Sequence, residues 1–316
     1  MADRIPVAVI GVGYLGRFHA QKYRALPDCE LIGVVDTDGA RAEAVGAEVN
    51  APAFTDAVEV LRRARAVSVA VPTADHRAVV RQCLEAGVHV LVEKPIAASR
   101  TEAEELVQLA QARGLALQVG YLERFNPAFA AVRPRVSGAR FIEAIRIASF
   151  KERGLDVDVV LDLMSHDLDL VLTLVKAPVK DLHAVGVSVL TGHTDLANTR
   201  IVFADGCVAN LTASRISTKS ERKLRIFQPD AYFSLDLAEP SVRIYTTQPG
   251  RDGAVSPNFR QEAPPLESAD ALLAEIEAFL EAVRLGKPPA VPGGAALEVM
   301  ALAERIAAEI ERNRSP

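Results

Sequence analysis

Three groups of residues in this 316-residue chain have the types and spacing to do chemistry. The first is Glu93-Lys94-Pro95, which ends the apolar run Gly87-Val88-His89-Val90-Leu91-Val92. A β-branched and aliphatic run of this kind reads as a strand buried on both faces of a parallel sheet. Ligands of open α/β sheets sit beyond the carboxyl ends of the strands, so a lysine there faces small-molecule chemistry. Pro95 disfavours helical angles at Lys94 and keeps it extended. By position alone, a solvated strand end is an equally simple reading.

The second group lies on a helix expected over Asp158 to about Val175, where Asp162, His166 and Asp169 stand at i, i+4 and i+7. That spacing puts them on one face. A carboxylate one turn from an imidazole orients the ring and stabilises its protonated form, which is a general-base arrangement. Asp158, Ser165 and Thr173 extend the stripe, so an ordinary wet helix face accounts for the spacing too. The rest of the helix is almost wholly aliphatic, which suggests instead a deep helix whose polar stripe lines a cleft.

The third group is Gly11-Val12-Gly13-Tyr14-Leu15-Gly16, between a strand over Pro6 to Ile10 and a helix to about Leu26. Gly11 permits the tight turn, Gly13 lets the backbone approach a pyrophosphate, and Gly16 lets the helix pack on the strand, so that the helix N-terminus faces the anion. A second strand, Glu30 to Val35, ends in Asp36 at the distance a dinucleotide fingerprint requires. Asp36 would accept from the adenosine ribose hydroxyls and repel a 2′-phosphate, which favours NAD over NADP. A helix cap at Asp36 with Asp38 beside it is the bland alternative.

These residues need a sheet with its carboxyl edge at one side. The chain supplies further alternation: a helix over Thr55 to Ala64, a strand over Ala66 to Val71, a helix over Asp75 to Ala86, then after Lys94 a helix over Thr101 to Arg113 and a strand over Leu115 to Val119. Thr73 and His76 fall at another carboxyl edge and can flank the nicotinamide half of a dinucleotide, although capping by Thr73 or Asp75 explains the stretch equally well. The pattern then changes to Tyr121 to Pro127, a helix to about Val132, a strand over Arg140 to Phe150, and strands between Val185 and Thr246 with turns at Asp205-Gly206 and Pro229-Asp230. Gln248 to Leu266, rich in Gly and Pro, reads as a loop, and two amphipathic helices over about 268–313 close the chain. The fold expected is α/β: a Rossmann-type doubly wound parallel sheet over 1–121, then an α+β domain with a largely antiparallel open sheet over 122–316. The closing helices can return to the first domain.

The net charge of −5 gives no reason to bind nucleic acid or a membrane surface, so small molecules are the expected partners. Three separated cysteines, Cys29, Cys83 and Cys207, suit free thiols in the cytoplasm and suggest no metal site. Nothing at the N-terminus resembles a signal peptide, and no run spans a bilayer.

Taken together, Gly11 to Gly16, Asp36, Glu93-Lys94-Pro95, Arg124-Phe125-Asn126-Pro127, Asp162-x-x-x-His166-x-x-Asp169 and the two closing helices resemble the Gfo/Idh/MocA oxidoreductases over the whole chain. The resemblance implies that Lys94, Asp162 and His166 surround the sugar carbon that gives up hydride. Many members have a glycine-rich segment before the helix, where this chain has Leu155-Asp156-Val157-Asp158-Val159-Val160. Leu122 to Pro127 and Asp156 to Leu170 are most similar to the members that oxidise the 3-hydroxyl of UDP-N-acetylglucosamine, at the start of diamino-sugar synthesis for lipid A. Oxidation of a free polyol such as inositol, or a non-catalytic NAD-binding sensor, are the rival readings. Arg124 and Asn126 are expected to face the substrate's phosphates, with a salt bridge from Arg124 to Glu123 or Asp169 as the alternative. Val185, Val187 and Val189 on one face, with Leu182 and Leu190 on the other, lead to an expected homodimer or homotetramer built on the second sheet, as the resemblance also implies.

Overall fold

The order of strands in the first sheet explains where a ligand can sit. In the computed structural model, which describes residues 4–150, 157–249, 255–267 and 269–313, the chain divides into two units, Met1–Leu122 with Asp270–Leu297 and Glu123–Ala269 with Glu298–Pro316. The first unit runs β1 (Ile5–Ile10), α1 (Tyr14–Ala25), β2 (Cys29–Val35), α2 (Gly39–Val49), β3 (Ala53–Phe54), α3 (Val58–Leu61), β4 (Ala66–Val69), α4 (Thr73–Glu85), β5 (His89–Glu93), α5 (Arg100–Ala112) and β6 (Leu117–Gly120). All six strands are parallel, in the order β3-β2-β1-β4-β5-β6. The order reverses between β1 and β4, which opens a crevice at their carboxyl ends. Ile10 pairs with both Val35 and Val69, and Val69 with Val92, so Gly11, Asp36, Ala70 and Glu93 leave the sheet along one edge. Where a helix was expected over 55–64, only α3 is helical, and α2 and β3 precede it. Asp38 caps α2 by accepting from the Arg41 N–H, and Ala42, Val45, Gly46 and Val49 give that helix its buried face.

Helix α8 (Ala271–Leu285) belongs to this unit. Its Ile276, Phe279, Leu280 and Val283 share one apolar core with Val7, Val9, Tyr23 and Leu91. The Val119 N–H donates to the Val291 carbonyl at 3.0 Å, which gives the outer strand β6 a partner along its free edge.

The second unit contains α6 (Pro127–Val132), β7 (Phe141–Ile147), α7 (Ser165–Leu174), then β8 (Val179–Val187), β9 (Leu196–Phe203), β10 (Val208–Ser214), β11 (Glu221–Gln228), β12 (Ala231–Asp236), β13 (Ser241–Pro249) and β14 (Val255–Glu262). The eight strands order as β14-β13-β12-β11-β7-β10-β9-β8. Neighbours are antiparallel except β7 and β10, which are parallel because the crossover between them carries α7. Along β7, Ile142, Ala144 and Arg146 are buried while Phe141, Glu143, Ile145 and Ile147 are only partly covered on the other face. The last helix, α9 (Gly293–Asn313), contributes its start to the first unit and its remainder to the second.

The expectation of a loop over Gln248 to Leu266 is corrected: β13 extends to Pro249, and β14 pairs with it from Ile244 opposite Glu262 to Thr246 opposite Arg260 and beyond. An edge strand tolerates Pro257 because one side of it needs no ladder bond. Of the segment before α7, Leu155 and Asp156 lie outside the described residues.

Candidate active site

The glycine turn is shaped by contact. Gly11 has φ +84°, and a Cβ there would stand 2.7 Å from the Ala70 carbonyl carbon. A Cβ on Gly16 would stand 1.8 Å from the Gly11 oxygen, so α1 can approach β1 only with glycine at that position. Gly13 is different: nothing lies within 4 Å of a Cβ built there, which leaves its space open above the N-terminus of α1. That vacant approach is what a pyrophosphate needs, so the turn fits a dinucleotide. Tyr14 and Leu15, in the first turn of α1, are exposed. Asp36 is 7% exposed; its Oδ2 accepts from the Val12 N–H and its Oδ1 from the Asp38 N–H, each at 3.0 Å. The carboxylate is thereby locked at the end of β2, and it is Asp38, not Asp36, that caps the helix.

Lys94 follows β5, and the Lys94–Pro95 peptide is cis. Its neighbour Glu93 accepts from His19 Nε2 at 2.9 Å. His19 Nδ1 lies 3.0 Å from Ser68 Oγ, which lies 2.9 Å from the Tyr23 hydroxyl. With Nε2–H donating to Glu93, Nδ1 accepts from Ser68, whose oxygen accepts from Tyr23. Burial pushes the Tyr23 hydroxyl well above its ordinary pKa, so it remains a donor. His76, expected beside the nicotinamide, is instead buried between two backbone carbonyls, with Nδ1 2.7 Å from the Pro95 oxygen and Nε2 2.9 Å from the Val71 oxygen. It braces the turns after β4 and β5 against each other. Thr73 is the first residue of α4 and half-buried, and neither it nor Asp75 caps that helix with its side chain.

On the second unit the helix begins as one π turn, Val160–Met164, before α7. The Ser165 N–H reaches back to the Val160 carbonyl, and Asp158 caps the start by accepting from the Val160 and Leu161 N–H groups at 2.8 and 2.9 Å. π turns recur at functional sites because they widen the helix locally. Asp162 and His166 are half-buried on the π turn and the first turn of α7. The stripe is not an ordinary wet face: Ser165, Asp169 and Thr173 are buried, and Asp158, Asp162 and His166 are half-buried. Asp169 does not share the site. It is 0% exposed and gripped by Arg124, Nε to Oδ2 at 2.7 Å and Nη2 to Oδ1 at 2.5 Å. Burial pushes its carboxyl up and Arg124 pulls it back. Asp167 is clamped in the same way by Arg146, with both bonds at 2.9 Å, and Arg146 Nη1 donates to Glu123 at 2.9 Å. Burial works against the charge of Arg146, and Asp167 and Glu123 more than offset it, raising its pKa.

The structure therefore places Arg124 on Asp169, the alternative raised for it, and makes Asn126 a cap. Asn126 Oδ1 accepts from the Ala128 N–H, and Nδ2 donates to Glu123 and to the Leu237 carbonyl, which accounts for both donors expected to meet phosphate. Sequence reasoning also missed His19, Ser68, Tyr23, Arg146 and Asp167. Gly16, His19, Ala20 and Tyr23 all lie on the buried face of α1, and polar residues at helical spacing among small ones were the available signal. Among the described residues no group of three or more His, Cys, Asp or Glu side chains is arranged to hold a metal ion.

Residues 5–121 match the family model described as an oxidoreductase family with an NAD-binding Rossmann fold, and residues 143–234 match the Gfo/Idh/MocA C-terminal domain. A UDP-N-acetylglucosamine 3-dehydrogenase of Acidithiobacillus ferrooxidans is 43% identical over 304 residues, 96% of each chain. The chain belongs to the Gfo/Idh/MocA oxidoreductase family. A solved structure of the Acidithiobacillus enzyme superposes with a TM-score of 0.91 at 41% identity, covering 98% of both chains. A scyllo-inositol 2-dehydrogenase (NAD(+)) of Bacillus subtilis is 27% identical over 92% of this chain and 90% of that protein. As a Gfo/Idh/MocA oxidoreductase the protein binds NAD, in keeping with the open space at Gly13 and the locked carboxylate of Asp36.

Proposed function

We propose that this NAD-dependent sugar dehydrogenase oxidises the 3-hydroxyl of UDP-N-acetylglucosamine to the 3-keto sugar. The observation that carries the reading is the end-to-end likeness to the Acidithiobacillus enzyme, at 43% identity against 27% for the inositol enzyme. His166 takes the hydroxyl proton as general base. Lys94 hydrogen-bonds the same oxygen and stabilises the charge that develops on it, and Asp162 orients His166 or binds a neighbouring hydroxyl. Bound NAD supplies the hydride acceptor. Thr73 and Glu93 contribute to the nicotinamide side of the cofactor site, where His19 and His76 hold the surrounding backbone and carboxylate in place. The keto product is the form an amine donor can convert to a diamino sugar, which suits a role in lipid A synthesis in the cytoplasm. Buried thiols fit that compartment.

Absorbance of NADH, scanned across UDP-N-acetylglucosamine, free sugars and inositol, tests the substrate. Reduction with inositol alone would move the polyol reading ahead, and no reduction with any sugar would favour a sensor. His166→Ala is expected to lower turnover by about 100-fold or more while NAD binding survives. Near-normal turnover would remove His166 from the base role.

The partner expected on the second sheet is another copy of this chain. Phe227, Tyr232 and Tyr245 stack across β11, β12 and β13 with centroids 4.4 and 5.3 Å apart, and Val185 and Val187 are half exposed on β8. Aromatic and aliphatic side chains exposed on one sheet face suit an isologous contact. Light scattering should give a mass of at least twice 33.9 kDa, and a mass near 33.9 kDa would rule the contact out.

A further inference from the structure

The adenosine corner of the first unit holds a cation that the selection of NAD by Asp36 leaves out of account. Arg41, in the first turn of α2, places Nη1 3.4 Å from Asp36 Oδ2 and Nη2 3.0 Å from Asp38 Oδ2. Its side chain is 48% exposed and lines, with Gly13, Tyr14 and Arg17, a crevice of about 660 Å³. Arg17, the other cation there, is drawn to Glu48 at 2.7 Å. Discrimination against a 2′-phosphate by a strand-end carboxylate is electrostatic, and a nearby arginine is the group that accommodates that phosphate. Both are present here, 3.4 Å apart where β2 gives way to α2.

Their mobilities differ. Asp36 is buried and tied by two backbone N–H groups, so it cannot turn away. Arg41 is held by one long contact to Asp36 and by an exposed pairing with Asp38, which stabilises little. It can exchange those contacts for a phosphate, which a guanidinium binds through two parallel N–H bonds. Asp36, Asp38 and Arg41 still sum to one negative charge, so NAD keeps the advantage.

We propose that Arg41 is a specificity-determining residue that gives the 2′-phosphate a foothold, so that the enzyme accepts NADP(H) as a second, weaker dinucleotide. The proposal is independent of which hydroxyl is oxidised, and it is tested without sugar. Wild type and Arg41→Met are titrated with NADH and with NADPH, following nicotinamide fluorescence, with circular dichroism to confirm folding. Wild type is expected to bind both. Arg41→Met should weaken NADPH by about ten- to hundredfold, the worth of one charge-assisted hydrogen bond. NADH should stay within about threefold, as the loss of an exposed pair allows. Arg41→Lys should recover part of the NADPH affinity. Wild type that fails to bind NADPH at millimolar concentration, or a variant that loses both nucleotides equally, would overturn the proposal.

Discussion

Arg124→Met should destabilise the second unit in a way that acid relieves. In the native protein Asp169 is wholly buried and receives two bonds from Arg124, at 2.7 and 2.5 Å. Methionine keeps much of the volume and removes both bonds. The stranded carboxylate must then stay charged in the interior or take a proton. From an ordinary carboxyl pKa, taking a proton costs about 4 kcal/mol at pH 7 and about 1.5 kcal/mol at pH 5. Direct loss of one partner of a buried pair costs about 3–5 kcal/mol, so the two routes agree at neutral pH. The sign follows from proton binding: the folded variant holds a proton that its unfolded chain lacks at pH 7, so its deficit against wild type shrinks as the pH falls. Denaturant unfolding followed by far-UV circular dichroism at pH 7 and pH 5 reads the difference in midpoints. The double variant Arg124→Met with Asp169→Leu should recover most of the loss, because no unpaired charge is left inside. A deficit below about 1 kcal/mol at pH 7, or one unchanged at pH 5, would refute the reasoning. A variant that keeps its stability and shows only a raised KM for the nucleotide sugar would place Arg124 on the phosphates instead.

Gly13→Ala and Gly16→Ala should separate binding from folding. Open space at Gly13 leaves stability nearly intact while isothermal titration shows NAD affinity lost, whereas the 1.8 Å approach at Gly16 should lower the melting temperature itself. Asp195 takes N–H bonds from Val189, Leu190 and Thr191 at 2.8, 2.7 and 3.0 Å and a hydroxyl bond from Thr191. Burial opposes the charge, yet these bonds hold its carboxyl well below the usual range. Asp195→Asn should therefore cost about 1–3 kcal/mol at pH 7. That contribution is present above the unfolded carboxyl pKa and is lost as the pH falls through the lower folded value, so in chemical denaturation the difference between the two proteins should begin to narrow below about pH 4 and go on narrowing as the pH falls further.

What could be read from the chain depended on how far apart the interacting residues lie. The turn at Gly11 to Gly16 and the stop at Glu93 were legible because the steric demand of a glycine and the end of an apolar run are local. Asp36 was legible because it lies one strand from that turn. Partners of charged residues were not: His19 and Glu93 are 74 positions apart, and Arg124 and Asp169 are 45 apart. Helical spacing aligned Asp169 with Asp162 and His166, but spacing does not tell a carboxylate that faces a cleft from one that faces a buried guanidinium. The π turn had the same effect, since periodicity presumes a uniform helix. β14 was hidden by composition: glycine and proline signal chain reversal and say little about pairing on either side of it.

The first unit is discontinuous in the chain, and this has a consequence for its biogenesis. Its core needs Ile276, Phe279, Leu280 and Val283, and the free edge of β6 meets Val291, all made after Glu123–Ala269. An emerging chain that has just released β6 from the ribosome thus carries every nucleotide-binding motif but not the helix that covers Val7, Val9 and Leu91. The nucleotide-binding half is therefore finished only after Glu123–Ala269 has been made, and a product truncated before α8 leaves that apolar surface exposed to aggregation and proteolysis.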